Sequence, residues 1–259
     1  MNATAVLTTG PRVFLRLVES VGDYAIFILK AVSSMRECNA YRKPIFVQMV
    51  RIGVDSLPVT MLASAFAGVV IMVQTAYQLD NVILTGDAIG AIVVPTLMLE
   101  MAALVPGLVL ASRIGASITA EIGTMRVTEQ IDALETMGMN SVSYLVLPRV
   151  MAGIIMFPFI YIASAAISVY IGGIAGEFMG YLPFEAYITG ARTYFHVFDL
   201  YYGMTKMLAF GFLITSIACW KGFTTTGGAD GVGRSTTSSV VISCVNLLVA
   251  DYIVAELLL

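Results

Sequence analysis

SLPVTMLASAFAGVVIMVQTAYQL, residues Ser56 to Leu79, contains no charged side chain and lies between Asp55 and Asp80. An α-helix rises about 1.5 Å per residue against a hydrocarbon layer near 30 Å, so about 20 apolar residues suffice to cross a bilayer. This stretch therefore reads as a membrane span. Val150 to Gly176 is a second uncharged run and repeats the signal. Ala88 to Ser112 is equally apolar except for Glu100, and Pro95 and Pro106 interrupt it. Leu200 to Trp220 reads as a fourth span, with Lys206 near enough to one end to snorkel into the headgroups. A fifth runs from about Thr236 to the C-terminus and carries Asp251.

Composition agrees with a lipid-solvated chain. Of 259 residues, 58% are hydrophobic and 12% charged, against roughly 25% charged in a soluble domain. The net charge of −3 comes without runs of like charge, which removes the electrostatic footprint of nucleic-acid binding. Cys38, Cys219 and Cys244 share no short spacing and His196 is the single histidine, so neither a disulfide framework nor a zinc site is indicated. No basic residue occurs among the first ten, which argues against a cleaved signal peptide. No lysine follows a glycine, so there is no Walker A phosphate loop, and one histidine gives no serine-based triad. The sequence thus predicts an all-α integral membrane protein without catalytic residues, metal or cofactor.

Before the first span, Phe14, Leu17, Val18, Val21, Ala25 and Ile28 follow helical spacing, with charges mostly elsewhere on the wheel. That is an amphipathic helix, lying in the membrane interface or packed on the protein's own cytoplasmic surface. Residues 1–55 accordingly form an N-terminal interfacial region and 56–259 the transmembrane domain. Of the 14 lysines and arginines, 12 fall in residues 1–55, 113–149 and 221–234, leaving Arg192 and Lys206 for the other side. The positive-inside rule then places the N-terminus in the cytoplasm. The aromatic-rich segment from Glu177 to Asp199 lies outside, resting at headgroup level or docking an external partner.

Two acids stand within spans. A charge at a helix centre costs about 2.5–3.5 kcal/mol on insertion scales, so Glu100 is expected to face a partner helix, a cavity or water. Asp251 has the same need, and Arg234 is too far along the helix to serve it without another chain. Gln74 and Tyr77, near the outer end of the first span, are candidates to line a pocket, an amide and a phenol being able to meet a headgroup; packing within the protein is the other reading.

The loop from Arg113 to Arg149 carries Glu121, Arg126, Glu129, Asp132 and Glu135 on helical sequence. Asp132, Ala133 and Leu134, with Gly138 after them and Pro148 beyond, resemble the acidic-Ala-Ala, glycine loop by which ABC importer permeases grip their ATPase. A polar helix closed by a glycine cap can transmit force; an ordinary solvated connector is the alternative.

Longer stretches carry a more specific resemblance. QMVRIGVDSLP from Gln48 to Pro58, RIGAS from Arg113, AEIGTMRVTEQIDALE from Ala120 to Glu135, and VGRSTT from Val232 together resemble the MlaE/YrbE permeases, membrane subunits of ABC lipid transporters that work with MCE proteins. That family usually has Arg-Glu-Leu-Gly-Pro around the acid of the second span. Here Leu99-Glu100-Met101-Ala102-Ala103 lacks the arginine and the Gly-Pro, so a straighter helix is expected, with Pro106 taking over the kink. The resemblance implies a homodimer, with an interfacial helix and five spans per chain and a cytoplasmic coupling helix between the second and third. It places a lipid pocket containing Glu100 at the dimer centre and the ATPase contact at Glu129, Asp132, Ala133, Glu135 and Gly138. It also implies a bacterial inner membrane, a cytoplasmic ABC ATPase, a periplasmic MCE-domain hexamer, and phospholipid moved between inner and outer membranes to maintain outer-membrane asymmetry. Two rivals remain: an ion-coupled carrier using Glu100 and Asp251 as proton sites, and a scaffold that only anchors an external complex.

Overall fold

A computed structural model describes residues 19, 21–33, 42–79 and 87–259, and every regular element among them is helical. In chain order these are α1 (residues 21–33), α2 (Arg42–Leu79), α3 (Ala88–Val127), α4 (Gln130–Thr136), α5 (Ser141–Phe178), α6 (Phe184–Tyr194), α7 (Val197–Phe223) and α8 (Gly228–Leu258). Among these α2, α3, α5, α7 and α8 are long and apolar enough to cross a membrane. The five expected spans are therefore present, and the chain is a multi-pass membrane protein.

Most of these helices outrun their uncharged stretches. α2 starts at Arg42 and passes through a 3₁₀ turn at Val54–Ser56, where the expected boundary between residues 55 and 56 falls. α3 runs past Arg113 to Val127, so only residues 128–140 separate α3 from α5. Backbone polar groups cannot go unpaired in lipid, and continuous helices meet that need through their own ladder.

α5 is the central post, packed on α2 along one side and α7 along another, while α7 also packs on α8 and on the later half of α3. Lipid gives little hydrophobic drive between helices, so close backbone approach carries the association. At the α2–α5 crossing a Cβ on Gly68 would stand 2.1 Å from the Ser168 carbonyl oxygen. At the α5–α7 crossing a Cβ on Gly211 would stand 2.6 Å from the Gly153 carbonyl.

α3 is not the straighter helix expected from the missing Gly-Pro. It widens into π turns at Leu97–Met101 and Ala111–Gly115, with Pro95 before the first and Pro106 between the two. Proline removes a ladder donor and crowds the preceding turn, and a π turn is one way a helix absorbs this.

α1 packs on α7 and α5. The Tyr24 and Trp220 rings lie 5.6 Å apart, as do those of Phe27 and Phe223, and Tyr24 Oη is 2.7 Å from Ser216 Oγ. Burial holds the Tyr24 phenol above its ordinary pKa, partly offset by the Ser216 hydrogen bond. The inward face is therefore Tyr24, Phe27, Ile28 and Ala31, rotated from the expected stripe, since Val21 and Ala25 are exposed. Phe14, Leu17 and Val18 lie outside the described residues.

α8 is the least covered span, with 11% of its apolar segment buried. Val241, Val245, Leu248 and Tyr252 stand exposed along it.

Replacing Gly68 by valine forces the α2–α5 crossing apart and is expected to cost about 1–3 kcal/mol, read as a lower melting temperature in detergent. Gly233→Ala, where nothing lies within 4 Å, should not lower it.

Candidate functional site

Three charged side chains from three spans meet inside the bundle. Lys206 Nζ of α7 lies 2.6 Å from Glu100 Oε1 of α3 and 2.9 Å from Asp251 Oδ1 of α8. The lysine side chain is wholly buried, while those of Glu100 and Asp251 keep 36% and 16% of their exposure. The contact to Glu100 has hydrogen-bond geometry. The approach to Asp251 Oδ1 is close but poorly angled, an ion pair without a hydrogen bond. Lys206 thus does not snorkel. It is the missing cation for both acids, and Arg234 instead pairs with Asp230, one turn away on the exposed start of α8.

The π turn at Leu97–Met101 prepares this site. Widening the turn takes carbonyls off the i→i+4 ladder and makes them available to other donors. The Tyr161 hydroxyl donates to the Met98 carbonyl at 2.8 Å, and Lys206 Nζ donates to the Leu99 carbonyl at 3.3 Å. Lys206 also stands 4.7 Å from the Tyr202 ring centroid, a cation–π contact in a desolvated setting. Two carboxylates face one ammonium, so the cluster carries an excess of acid, and Glu100 is its most accessible member.

Gln74 and Tyr77 lie on α2 away from the α5 contact, both exposed, Tyr77 at 80%. Packing within this chain, the alternative reading for both, is therefore not their role, and a single copy of the chain does not bring them into an enclosed pocket.

A second charged cluster ties the opposite ends of the spans. Glu121 of α3 takes Arg51 of α2 at 2.9 Å and the buried Arg149 of α5 at 3.0 Å, one carboxylate oxygen each. Arg113 donates to the Asp55 carbonyl within the 3₁₀ turn. Three spans are locked together next to α4.

α4 is the short helix expected between the second and third spans. It follows Glu129, whose φ of 60° is left-handed, and closes on Gly138 at φ 77°. The Gly138 N–H donates to the Glu135 carbonyl and the Met139 N–H to the Leu134 carbonyl, a Schellman ending. Asp132 pairs with Arg126 at the end of α3, and Ser141 Oγ donates to Glu135 Oε1 at 2.7 Å. Ala133, Met137, Gly138 and Met139 are exposed, so the segment is braced at both ends and bare on its outer side.

Sequence reasoning found Glu100 and Asp251 and missed Lys206, the basic residue that pairs with both. The signal was available: two acids within spans need a cation, and Lys206 is the sole basic residue inside the five expected spans. The roles of Arg51, Glu121 and Arg149 were also missed, because pairing between residues 70 positions apart leaves no local pattern. No cluster of metal-binding side chains occurs among the described residues.

Comparison with known proteins agrees with this architecture. A family model described as permease MlaE matches residues 45–257. A probable ABC transporter permease protein of Rickettsia bellii is 39% identical over 243 residues, covering 94% of this chain and 93% of the relative. A probable ABC transporter permease protein of Synechocystis is 32% identical, covering 84% of this chain and 82% of its own length. The Arabidopsis thaliana protein TRIGALACTOSYLDIACYLGLYCEROL 1, chloroplastic, is 32% identical, covering 81% of this chain and 59% of its own.

Removing the cation leaves two carboxylates uncompensated, so Lys206→Met is expected to destabilise by about 3–5 kcal/mol. Glu100→Gln and Asp251→Asn leave the lysine a partner and should cost less. Thermal melting of the three detergent-solubilised variants checks the order, and equal melting would refute the pairing.

Proposed function

The chain belongs to the MlaE permease family of ABC transporters, and on that premise we propose that it moves phospholipid between the inner and outer membranes of a double-membraned bacterium, maintaining outer-membrane lipid asymmetry. As an ABC permease it works with an ATPase subunit. The reading places the chain in the inner membrane with α4 and the N-terminus in the cytoplasm, in keeping with 12 of 14 basic residues on that side.

The observation that carries the reading is the acid-rich cluster of Glu100, Lys206 and Asp251 beside the sparsely covered α8. A polar site at membrane depth needs a lining, and α8, only 11% buried along its apolar segment, needs a covering. A second copy supplies both: two chains meeting through this side would enclose a cavity with Glu100 at its wall and Gln74 and Tyr77 nearer its mouth. Such a cavity would take a polar headgroup. The lipid-derived name of the Arabidopsis relative favours a lipid cargo. A periplasmic MCE-domain hexamer would receive or deliver the lipid.

Energy would enter at residues 129–138. Glu129, Asp132, Ala133, Glu135 and Gly138 form or cap a stiff short helix whose outer side is open to an ATPase groove, while the Arg51–Glu121–Arg149 ties carry its displacement to α2, α3 and α5. Pairing of both intramembrane acids with one lysine argues against an ion-coupled carrier, which needs acids free to exchange protons.

Ala133→Arg alters only an exposed position, so it should leave melting unchanged while lowering lipid-linked ATPase activity about tenfold in proteoliposomes containing the partners, a loss of about 1.4 kcal/mol of coupling. Unchanged activity would remove α4 as the contact. Intact coupling without lipid movement would remove the cargo assignment.

A further inference from the structure

Between α3, α5, α6 and the start of α7 lies a cavity of about 480 Å³, separate from the charged cluster. Ala165, Ala166 and Ala191 are small residues in its lining, and Val94, Met98 and Val169 add apolar walls. Its lining on α5 runs from Ile162 to Tyr170, and both of these are exposed on the outer surface, so the cavity opens sideways. Those eight residues of helical rise span about 12 Å, close to the depth of one leaflet, half of a hydrocarbon layer near 30 Å.

The chemistry changes at one end. α6 packs beside residues 169–173 of α5 through Phe184 and Tyr187, and its Ala191 backbone meets Gly90 in the first turn of α3. The next residue, Arg192, is the one charged residue in the lining, which also holds the rings of Tyr170 and Phe195. The Arg192 guanidinium makes no ion pair among the described residues. A slot that is apolar in its depth and cationic at headgroup level matches an amphiphile end to end.

We propose that this cavity seats one acyl chain of a membrane glycerophospholipid whose phosphate is bound by Arg192. A guanidinium presents paired donors that fit phosphate oxygens, and the volume falls in the ~300–1,000 Å³ range of small-ligand sites. A transmembrane helix of a partner, about 10–12 Å across, would leave the unpaired guanidinium without an anion unless it brought an acid to that level. The seated lipid joins α6 to α5 and holds the outer helix against the bundle. The inference rests on the chain spanning a membrane and not on what it transports.

Native mass spectrometry of the full-length protein, purified with its partners in mild detergent, tests this with phosphatidylglycerol and diacylglycerol as probes. Wild type is expected to retain phosphatidylglycerol, and Ala166→Trp, which fills the slot, to lose it while keeping ATPase activity. Arg192→Gln should weaken phosphatidylglycerol retention about fivefold, the worth of one cation near a lipid surface, and leave diacylglycerol unchanged; Arg192→Lys should restore most of it. Should Ala166→Trp fail to assemble, Ile188→Phe narrows the slot from α6. Equal retention in wild type and the filled variants overturns the proposal. An equal fall for both probes in Arg192→Gln overturns the phosphate contact. A partner segment cross-linking to position 166 in lipid-free wild type overturns it in favour of a protein occupant. None of these outcomes touches the coupling measured through α4.

Discussion

Charge cannot be left unpaired in hydrocarbon, and the membrane half of this structure is organised around that constraint. Glu100, Lys206 and Asp251 come from α3, α7 and α8, and their meeting fixes where these three spans stand relative to one another. Burying an ion costs several kcal/mol even after relaxation, so the ammonium is surrounded by two carboxylates, a backbone carbonyl and an aromatic face. The π turn in α3 belongs to the same solution. It loosens carbonyls that a regular helix would keep, and Tyr161 and Lys206 take them. What looks like an irregular span is a span shaped to accept donors from its neighbours.

The spans were legible in the sequence because lipid imposes a simple test, enough apolar length without charge. Their true ends were not. Arg42, Arg51 and Arg113 read as loop residues, yet they lie on helices that continue beyond the hydrocarbon. Charge marks where a helix leaves lipid and not where it stops. The Gly138 cap was legible because a left-handed residue after a short helix favours glycine, and residue chemistry alone signals it. Lys206 was misplaced because snorkelling was judged from position along one helix, whereas its burial depends on acids 106 and 45 residues away in sequence. The face of α1 was misjudged for a related reason: aromatic residues, which prefer ring contacts, turned it toward Trp220 and Phe223.

The two ends of the bundle are built differently. Next to α4, ion pairs link α2, α3 and α5 through Glu121, and the partner charges sit where water can reach most of them. Exposed pairs are individually weak, but two arginines on one carboxylate with Arg149 buried restrict three helices to move together. Toward α6, contacts are mainly apolar and aromatic, with Tyr187 buried and its phenol pushed above its ordinary pKa by that burial. A displacement applied at the first end would therefore be shared among spans, while the second end can yield more locally.

Synthesis proceeds from one end of the chain, and the charged cluster has an order of arrival. Glu100 is made 106 residues before Lys206, an interval on the order of 5–20 s at ordinary elongation rates. Through that interval Glu100 lacks the lysine that pairs with it in the folded chain, and Asp251 arrives only after the lysine. The three-membered cluster is therefore complete only once the last span has been made, since Asp251 lies on α8.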